Sequence, residues 1–266
     1  FADCLTKFTK TLSQLNPDAF VVFGDRYEML AATISSYILR IPIVHIAGGE
    51  KTAGSIDDGF RHSISKLANL HFPIAEQYRK RLIQLGENPK TIFNYGSLHF
   101  EKIKKNNYLS KDKLEKKLNI KFYKKNLIIT YHPDSINNEK SLKNLSTLLK
   151  SLKKIKNTLM IITSSNSDAQ GNLMNNYTQR FIKKNKLKNF LFFKSLGSQT
   201  YLSLLKIVDG VVGNSSSGIS EAPFFGLATV NIGSRQEGRA MFSSIINSDN
   251  SEHSIKKSVN KIFQKN

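Results

Sequence analysis

Short runs of apolar and β-branched residues alternate along this chain with longer stretches of helical, amphipathic periodicity. This alternation is typical of α/β proteins. The short runs contain few polar residues, which predicts parallel strands with helices on both faces of the sheet. The predicted strands are Ala19–Gly24, Ile43–Ile46, Leu70–Ala75, Thr91–Tyr95, Leu127–Tyr131, Leu159–Thr163, Phe190–Lys194, Val211–Val212 and Ala228–Ile232, and the predicted helices include Glu28–Leu39, Ile56–Ala68, Leu142–Ile155 and Leu173–Lys184.

A polar, lysine- and asparagine-rich segment, residues 101–125, divides the pattern into two α/β units. We expect an N-terminal domain of residues 1–106 and a C-terminal domain of residues 107–266. Two Rossmann-like, doubly wound domains facing a cleft would bind ligands outside the carboxyl ends of their strands. The first domain would hold only about four strands, so we expect it to be incomplete.

The composition favours a cytoplasmic protein without a membrane span. No stretch of about 18 uninterrupted apolar residues occurs. The chain begins at Phe1 with neither an initiator methionine nor a signal-peptide pattern. Its one cysteine, Cys4, has no second cysteine with which to form an internal disulfide.

The formal net charge of +20 raises the possibility of a nucleic-acid-binding protein. However, the lysines are spread over many segments of the sequence instead of forming one basic stripe with aromatic residues. We therefore expect solvated helix faces and no nucleic-acid partner. The electrostatic field of this positive charge would also steer an acidic small molecule towards the protein.

The sequence Gly213-Asn214-Ser215-Ser216-Ser217-Gly218 follows an apolar strand and precedes a helical run through Phe225, with Glu221 in its predicted first turn. A polar turn between strand and helix presents backbone N–H groups to phosphate. We expect Gly218 to allow close ligand approach and Glu221 to bind sugar hydroxyls. The alternative is a serine N-cap with an acidic capping residue.

Acidic residues follow the strands of the first unit. Asp25 and Arg26 come directly after the first strand, and Asp57 and Asp58 open a helix that also carries Arg61. Because these positions lie at one sheet edge, we expect Asp25, Asp57 and Asp58 to transfer protons and Arg26 and Arg61 to contact ligand. Helix capping and the helix dipole are the competing explanations.

Other candidate residues follow strands of the second unit: a catalytic or phosphate-binding His132, and the ligand contacts Asn166, Leu196, Arg235 and Arg239. The two arginines lie in one glycine-bounded loop, which suits a diphosphate. No metal-ligand spacing, nucleophile elbow or dinucleotide-binding glycine turn occurs.

In combination, these motifs resemble the hydrolysing UDP-N-acetylglucosamine 2-epimerases: Gly24-Asp25-Arg26, His45-Ile46-Ala47-Gly48-Gly49-Glu50, Asp57-Asp58 with Arg61-His62, Tyr131-His132-Pro133, and the serine turn with Glu221. Such enzymes make N-acetylmannosamine for sialic acid synthesis, and related ones act on a nucleotide-linked diacetamido sugar for legionaminic acid. The resemblance implies a fold of the glycosyltransferase-B kind and a nucleotide-sugar substrate such as UDP-N-acetylglucosamine. It also implies no cofactor and a possible homodimer.

The resemblance assigns roles by matching motif. Asp25, Asp57 and Asp58 resemble the catalytic acids, whereas Ala47 stands where some relatives have an acidic residue and receives no role. Family members usually carry a further strand–helix block at the start and a last helix beyond residue 266. The residues that resemble nucleotide contacts are Arg26, His132, Asn166, Leu196, Ser215, Ser216, Glu221 and Arg235.

The reaction that this resemblance implies is elimination of the nucleoside diphosphate to a glycal, followed by hydration with the opposite configuration at C2. The same reaction on UDP- or GDP-N,N'-diacetylbacillosamine is the first alternative. A glycosyltransferase of the same fold is the second, although inverting transfer usually needs one base and not three carboxylates. A basic nucleic-acid-binding protein without enzymatic activity is the third.

Overall fold

The computed structural model describes residues 1–51, 56–133, 138–165, 169–239 and 241–264. The chain forms two compact units, Phe1–Lys104 and Lys105–Asn266, whereas the sequence placed the boundary after residue 106. The strands are β1 Phe20–Phe23, β2 Ile43–Ile46, β3 Leu70–Phe72, β4 Lys125–Thr130, β5 Thr158–Thr163, β6 Phe190–Phe193, β7 Gly210–Gly213, β8 Ala228–Ile232 and β9 Ile245–Ser248. The helices are α1 Ala2–Leu15, α2 Tyr27–Ile38, α3 Asp57–Leu67, α4 Glu76–Gln84, α5 Leu98–Lys105, α6 Lys111–Leu118, α7 Asn138–Lys153, α8 Ala169–Lys184, α9 Ser198–Leu205, α10 Ser216–Ser220 and α11 Glu252–Ile262.

The first unit contains a parallel sheet in the order β1-β2-β3. One face of this sheet is buried, with Val22 and Ile43 packed against Ile64 of α3. The predicted strand Thr91–Tyr95 is wrong: its first residue ends the 3₁₀ turn Pro89–Thr91, and among the described residues a single bridge, His71–Ile92, joins the segment to β3.

The opposite face of the same sheet is apolar and solvent-exposed. Val21 and Phe23 of β1 are 59% and 50% exposed, and Leu70 of β3 is also exposed. The parallel register places Phe23, Ile46 and Phe72 side by side on this face. On this face Phe93 and Tyr95 stack on Phe72, whereas Val21 and Phe23 stay exposed, so in the described residues of the first unit the expected cover is complete on one face and partial on the other.

The second unit contains a six-stranded parallel sheet in the order β6-β5-β4-β7-β8-β9. This is a doubly wound topology, and the winding reverses between β4 and β7, where such folds place their ligands. Nearly every residue of β4 and β5 is buried, as the apolar runs predicted. Strand β9 pairs with β8 at one edge and was not predicted, since its residues Ile245–Ser248 mix apolar and polar side chains.

Two helical predictions need correction. The helical run expected from the serine turn through Phe225 is instead the five-residue helix α10 and a 3₁₀ turn, Ala222–Phe225. Pro223 in that turn cannot donate an intrahelical hydrogen bond, so the α-helix does not continue. The surface helix and linker expected over residues 101–125 are two helices, α5 and α6. Among the described residues, no helix has the length and apolarity required to cross a membrane.

Candidate functional site

The carboxyl edge of the first sheet carries a buried arginine between two carboxylates. Asp25 follows β1, and Asp58 lies in the first turn of α3. Arg61, 2% exposed, donates from Nε to Asp25 Oδ2 at 2.9 Å and again from Nη2 to the same oxygen. Its Nη1 donates to Asp58 Oδ1 at 2.8 Å and to the carbonyl oxygen of Glu50 at 2.9 Å. The fold therefore brings together two of the three predicted catalytic acids.

This geometry gives Arg61 a role different from the predicted one. The side chains of Asp25 and Asp58 are 29% and 26% exposed, so each offers a solvent-facing part while Arg61 stays inside. A guanidinium with such partners is suited to orienting carboxylates. The assignment of Arg61 as a ligand contact stays a prediction, and the observed contacts favour a positioning role.

Arg26 and Asp57 lie at the same edge but nearer to solvent. Arg26 is 67% exposed and pairs with Glu28 at 2.9 Å. The hydrogen bonds that Arg26 donates to Glu28 are the main cause that raises the pKa of the Arg26 guanidinium, and Asp57 adds a small contribution in the same direction. Arg26 thus remains accessible to an anion, and Asp57, the first residue of α3, lies within its electrostatic reach.

A histidine to which the sequence reasoning gave no role lies within the electrostatic reach of Asp25 and Arg61. His45 of β2 is fully buried, and its Nδ1 lies 3.0 Å from Ser65 Oγ. Ser65 Oγ in turn donates to the carbonyl oxygen of Arg61 at 3.1 Å. Burial lowers the pKa of His45 to about 4, so the ring is neutral at pH 7. The sequence signal for this buried histidine was its position inside an otherwise apolar strand.

In the second unit, Asn214 connects loops at the carboxyl edge. It follows β7, and its buried amide makes two hydrogen bonds to the backbone of His132, which follows β4. Arg235 Nη1 and Gln236 Nε2, in the loop after β8, both donate to the carbonyl oxygen of Asn214, at 3.1 and 2.7 Å. The structure thus brings the predicted residues His132 and Arg235 to one place through a residue that had been assigned no role.

The glycine before Asn214 is required by the close approach of two strands. Gly213 has φ +143, and a Cβ there would overlap the carbonyl oxygen of Thr130 on β4. Glycine adopts this backbone region without steric cost. The close approach allows Asn214 N–H to donate to Thr130 O at 3.2 Å.

The three serine hydroxyls of the turn differ in their hydrogen-bond partners. Ser215 caps α10, and its Oγ accepts from Ser217 N–H at 3.4 Å. The hydroxyl of Ser217 is hydrogen-bonded to that of Tyr201, and burial raises the pKa of the Tyr201 hydroxyl. Ser216 is half-buried, and its hydroxyl makes no hydrogen bond to another described residue. Ser215 and Ser216 are therefore better placed than Ser217 to meet a ligand.

Two details of this turn differ from expectation. Gly218 was expected to admit a ligand, but a Cβ there would lie 2.8 Å from Thr229 Cγ2, so the glycine instead allows α10 to pack on β8. Glu221 was expected in a first helical turn. It closes α10 instead, with its N–H donating to Ser217 O at 2.9 Å. Its half-buried carboxylate raises the pKa of Tyr201 slightly, after the larger effect of burial, so it lies near the turn.

The remaining predicted contacts occupy neighbouring loops. Leu196 follows β6 and is half-buried, and Arg239 is half-buried in the loop after β8. Asn166 lies outside the described residues. His132 Nδ1 lies 3.4 Å from Ser165 Oγ, which places the loop after β5 beside it. Among the described residues, no group of three or more His, Cys, Asp or Glu is arranged to hold a metal ion.

Comparison with known proteins supports one family. The sequence profile of the family described as UDP-N-acetylglucosamine 2-epimerase matches residues 1–266. The chain is 49% identical over 242 residues to "GDP/UDP-N,N'-diacetylbacillosamine 2-epimerase (hydrolyzing)" of Campylobacter jejuni, covering 91% of this chain and 63% of that protein. It is 36% identical over 258 residues to "Polysialic acid biosynthesis protein P7" of Escherichia coli, covering 97% of this chain and 65% of that protein. The chain thus spans less than two thirds of the length of these relatives.

The fold is shared with solved structures. The crystal structure of UDP-GlcNAc 2-epimerase from Neisseria meningitidis bound to UDP-GlcNAc superposes with a TM-score of 0.81 at 17% sequence identity, covering 99% of this chain and 72% of that one. This likeness confirms the predicted class, an α/β fold with two Rossmann-like domains of the glycosyltransferase-B type. Since the family profile matches the whole sequence, the chain belongs to the UDP-N-acetylglucosamine 2-epimerase family.

Proposed function

We propose that this chain carries the active residues of a hydrolysing nucleotide-sugar 2-epimerase. The observation that carries the proposal is the pair of partly exposed carboxylates, Asp25 and Asp58, held by the buried Arg61. Membership of the family and the names of the relatives support the same reaction class.

Direct deprotonation at C2 is very unfavourable because the C2 proton of the sugar is not adjacent to a carbonyl group. The proposed reaction is therefore an elimination, in which a carboxylate serves as the base. In the first step, a carboxylate takes the C2 proton, the electrons of that C–H bond form the C1–C2 double bond, and the C1–O bond breaks with its electron pair on the diphosphate. In the second step, water adds its oxygen to C1 while a proton is delivered to the opposite face of C2. Asp25, Asp57 and Asp58 are the proposed proton carriers.

The second unit supplies groups suited to the leaving diphosphate. Arg235 and Arg239 provide cationic donors, and the hydroxyls of Ser215 and Ser216 provide neutral ones. His132 is proposed to contact the diphosphate or to donate a proton to it as it departs. Glu221 is the proposed acceptor for sugar hydroxyls, and Leu196, Asn166 and Arg26 complete the proposed set of contacts.

The proposed substrate is a UDP-linked 2-acetamido sugar. The 49% identical relative is named for GDP/UDP-N,N'-diacetylbacillosamine, which favours the diacetamido sugar over UDP-N-acetylglucosamine. We place the enzyme in the cytoplasm, where nucleotide sugars are made, and a homodimer is the proposed assembly.

The test is incubation of the protein with each nucleotide sugar in deuterated water, without any sugar acceptor. The proposal expects UDP release together with a free sugar that is epimerised and carries deuterium at C2. A glycosyltransferase would release UDP only when an acceptor is added, so absence of acceptor-free turnover contradicts the proposal. Stabilisation by UDP in a thermal-shift assay, with none by single-stranded RNA, separates the enzyme from a nucleic-acid-binding protein.

A further inference from the structure

Asn214, which is 3% exposed, takes part in five hydrogen bonds. Its Oδ1 accepts from His132 N–H at 2.7 Å, and its Nδ2 donates to His132 O at 2.9 Å. Its own N–H donates to Thr130 O, and its carbonyl oxygen accepts from Arg235 and Gln236. One residue therefore joins the loops that follow β4, β7 and β8: its side chain bonds the loop after β4, and its carbonyl oxygen bonds the loop after β8.

The location of this residue is as informative as its bonds. Strands β4 and β7 are neighbours at the point where the winding of the sheet reverses, and Thr130 pairs with Gly213 there. Loops at such a reversal diverge to opposite sides of the sheet and form the ligand crevice of doubly wound folds. The hydrogen bonds between Asn214 and His132 cross this reversal point. They set the spacing between His132 on one side and Ser215 and Arg235 on the other.

We infer that Asn214 is a positioning residue, which holds His132 and Arg235 in the register that binds the diphosphate of the substrate. The inference rests on the proposed function, because the ligand is the nucleoside diphosphate named there. Asn214 does not need to touch the ligand. It acts by presenting a donor and an acceptor, side by side, to the backbone of His132.

Only a group with one donor and one acceptor satisfies both bonds, and the amide orientation is determined by the backbone it faces. An ionised aspartate has the same shape but only acceptors, so one of its oxygens would face the carbonyl oxygen of His132 without a proton between them. A protonated aspartate again offers a donor and an acceptor. The variant Asn214→Asp should therefore resemble the wild type more closely as the pH falls.

A second asparagine provides a matched control. Asn126, 5% exposed, lies at the amino end of β4, and its side chain bonds the N–H and carbonyl of Tyr123 at 2.9 and 3.0 Å. It repeats the same backbone clamp at the opposite edge of the same sheet. Asn126→Asp therefore makes the same chemical change far from the loops that carry the candidate residues.

The experiment measures the Kd for UDP by calorimetry between pH 5.5 and 8.0 for the wild type, Asn214→Asp and Asn126→Asp. Comparing variants at each pH cancels the protonation of UDP itself. We expect Asn214→Asp to bind about 30-fold more weakly than wild type at pH 8.0, equivalent to two disrupted hydrogen bonds of ordinary strength, and within about 5-fold at pH 5.5. Asn126→Asp should stay within about 3-fold throughout. A deficit of Asn214→Asp that does not change with pH, or an equal deficit in the control, overturns the inference.

A measurement without ligand separates this inference from the proposed function. In Asn214→Ala, the His132 amide should exchange its hydrogen at least about 10-fold faster than in wild type. The exchange rate of the Ile129 amide, on β4 just before His132, should not change. If the wild type fails to bind UDP, the proposed function fails, and the exchange rate at His132 still decides whether Asn214 holds this loop. Unchanged exchange at His132 refutes the role of Asn214.

Discussion

Arg61 donates two hydrogen bonds to a single carboxylate oxygen of Asp25, although the two residues are 36 positions apart in the sequence. The same guanidinium reaches Asp58, three residues before it on α3. The relative position of the two acids is therefore set by a buried cation and not by either acid's own backbone alone.

Replacing Arg61 by methionine should reduce both stability and turnover. The change leaves two carboxylates without their common cation, which should lower the unfolding free energy by about 2–3 kcal/mol, since the acids are partly solvated. Urea unfolding measures this loss. The control is Arg26→Met, which removes an exposed ion pair and should cost less than about 1 kcal/mol. Equal losses of unfolding free energy in the two variants would show that the buried ion pairs of Arg61 stabilise the fold no more than an exposed pair does.

Asparagine in place of Asp25 or Asp58 should lower kcat at least about 10³-fold, within the range that general acid–base groups contribute. The Kd for UDP should change less than about 3-fold, because the proposed diphosphate contacts lie on other residues. Steady-state kinetics and calorimetry measure the two quantities. Asp112→Asn, at the start of α6, is the matched control and should be neutral. Undiminished turnover would remove Asp25 or Asp58 from the proposed proton carriers.

His45 should make the protein less stable in mild acid. Burial depresses its pKa to about 4 in the folded state, against about 6.5 when unfolded, so protons bind preferentially to the unfolded chain. The contribution of neutral His45 to the unfolding free energy is complete above pH 6.5 and is lost as the pH falls from 6.5 to about 4. The total loss over this interval is roughly 3 kcal/mol.

The unfolding free energy of wild type and His45→Gln, measured across that interval, tests this linkage. The variant should lose less stability than wild type on acidification, whatever its stability at pH 7. Parallel curves for the two proteins would show that His45 does not titrate in this way.

The hydroxyls of Ser216 and Ser217 should differ in function. Ser216→Ala should weaken UDP binding about 5–10-fold, as expected for loss of one ligand hydrogen bond. Ser217→Ala should instead lower the unfolding free energy by about 1 kcal/mol or more, because it leaves the buried Tyr201 hydroxyl without its partner. Calorimetry and urea unfolding on both variants separate these effects, and the opposite pattern would reverse the assignment of the two serines.

The uncovered sheet face of the first unit should be detectable by a hydrophobic dye. Val21→Thr combined with Phe23→Thr should reduce dye fluorescence while changing the unfolding free energy by less than about 1 kcal/mol, because both side chains are already exposed. A large loss of stability would mean that these side chains are buried in solution.

Much of the architecture follows from local pattern. The bounds of Ile43–Ile46 and Ala228–Ile232 agree between sequence and structure, since parallel strands with buried faces are short, mainly apolar and β-branched runs. The short strand β9 and the broken helix after the serine turn escaped prediction. The first depends on an edge pairing with β8. The second follows from Pro223, whose missing N–H ends the α-helix and which the sequence reasoning did not weigh.

The sequence by itself determined the reaction chemistry that this protein can offer: carboxylates after strands of the first unit, and a serine turn with arginines after strands of the second. These groups follow strand ends, and parallel strands align their carboxyl ends at one edge. Tertiary structure alone decided which side chains hold these groups in place. Arg61 turned inward to Asp25 and Asp58, and Asn214 reached His132 across 82 residues. Such roles depend on burial and on partners distant in sequence, and no local pattern encodes either.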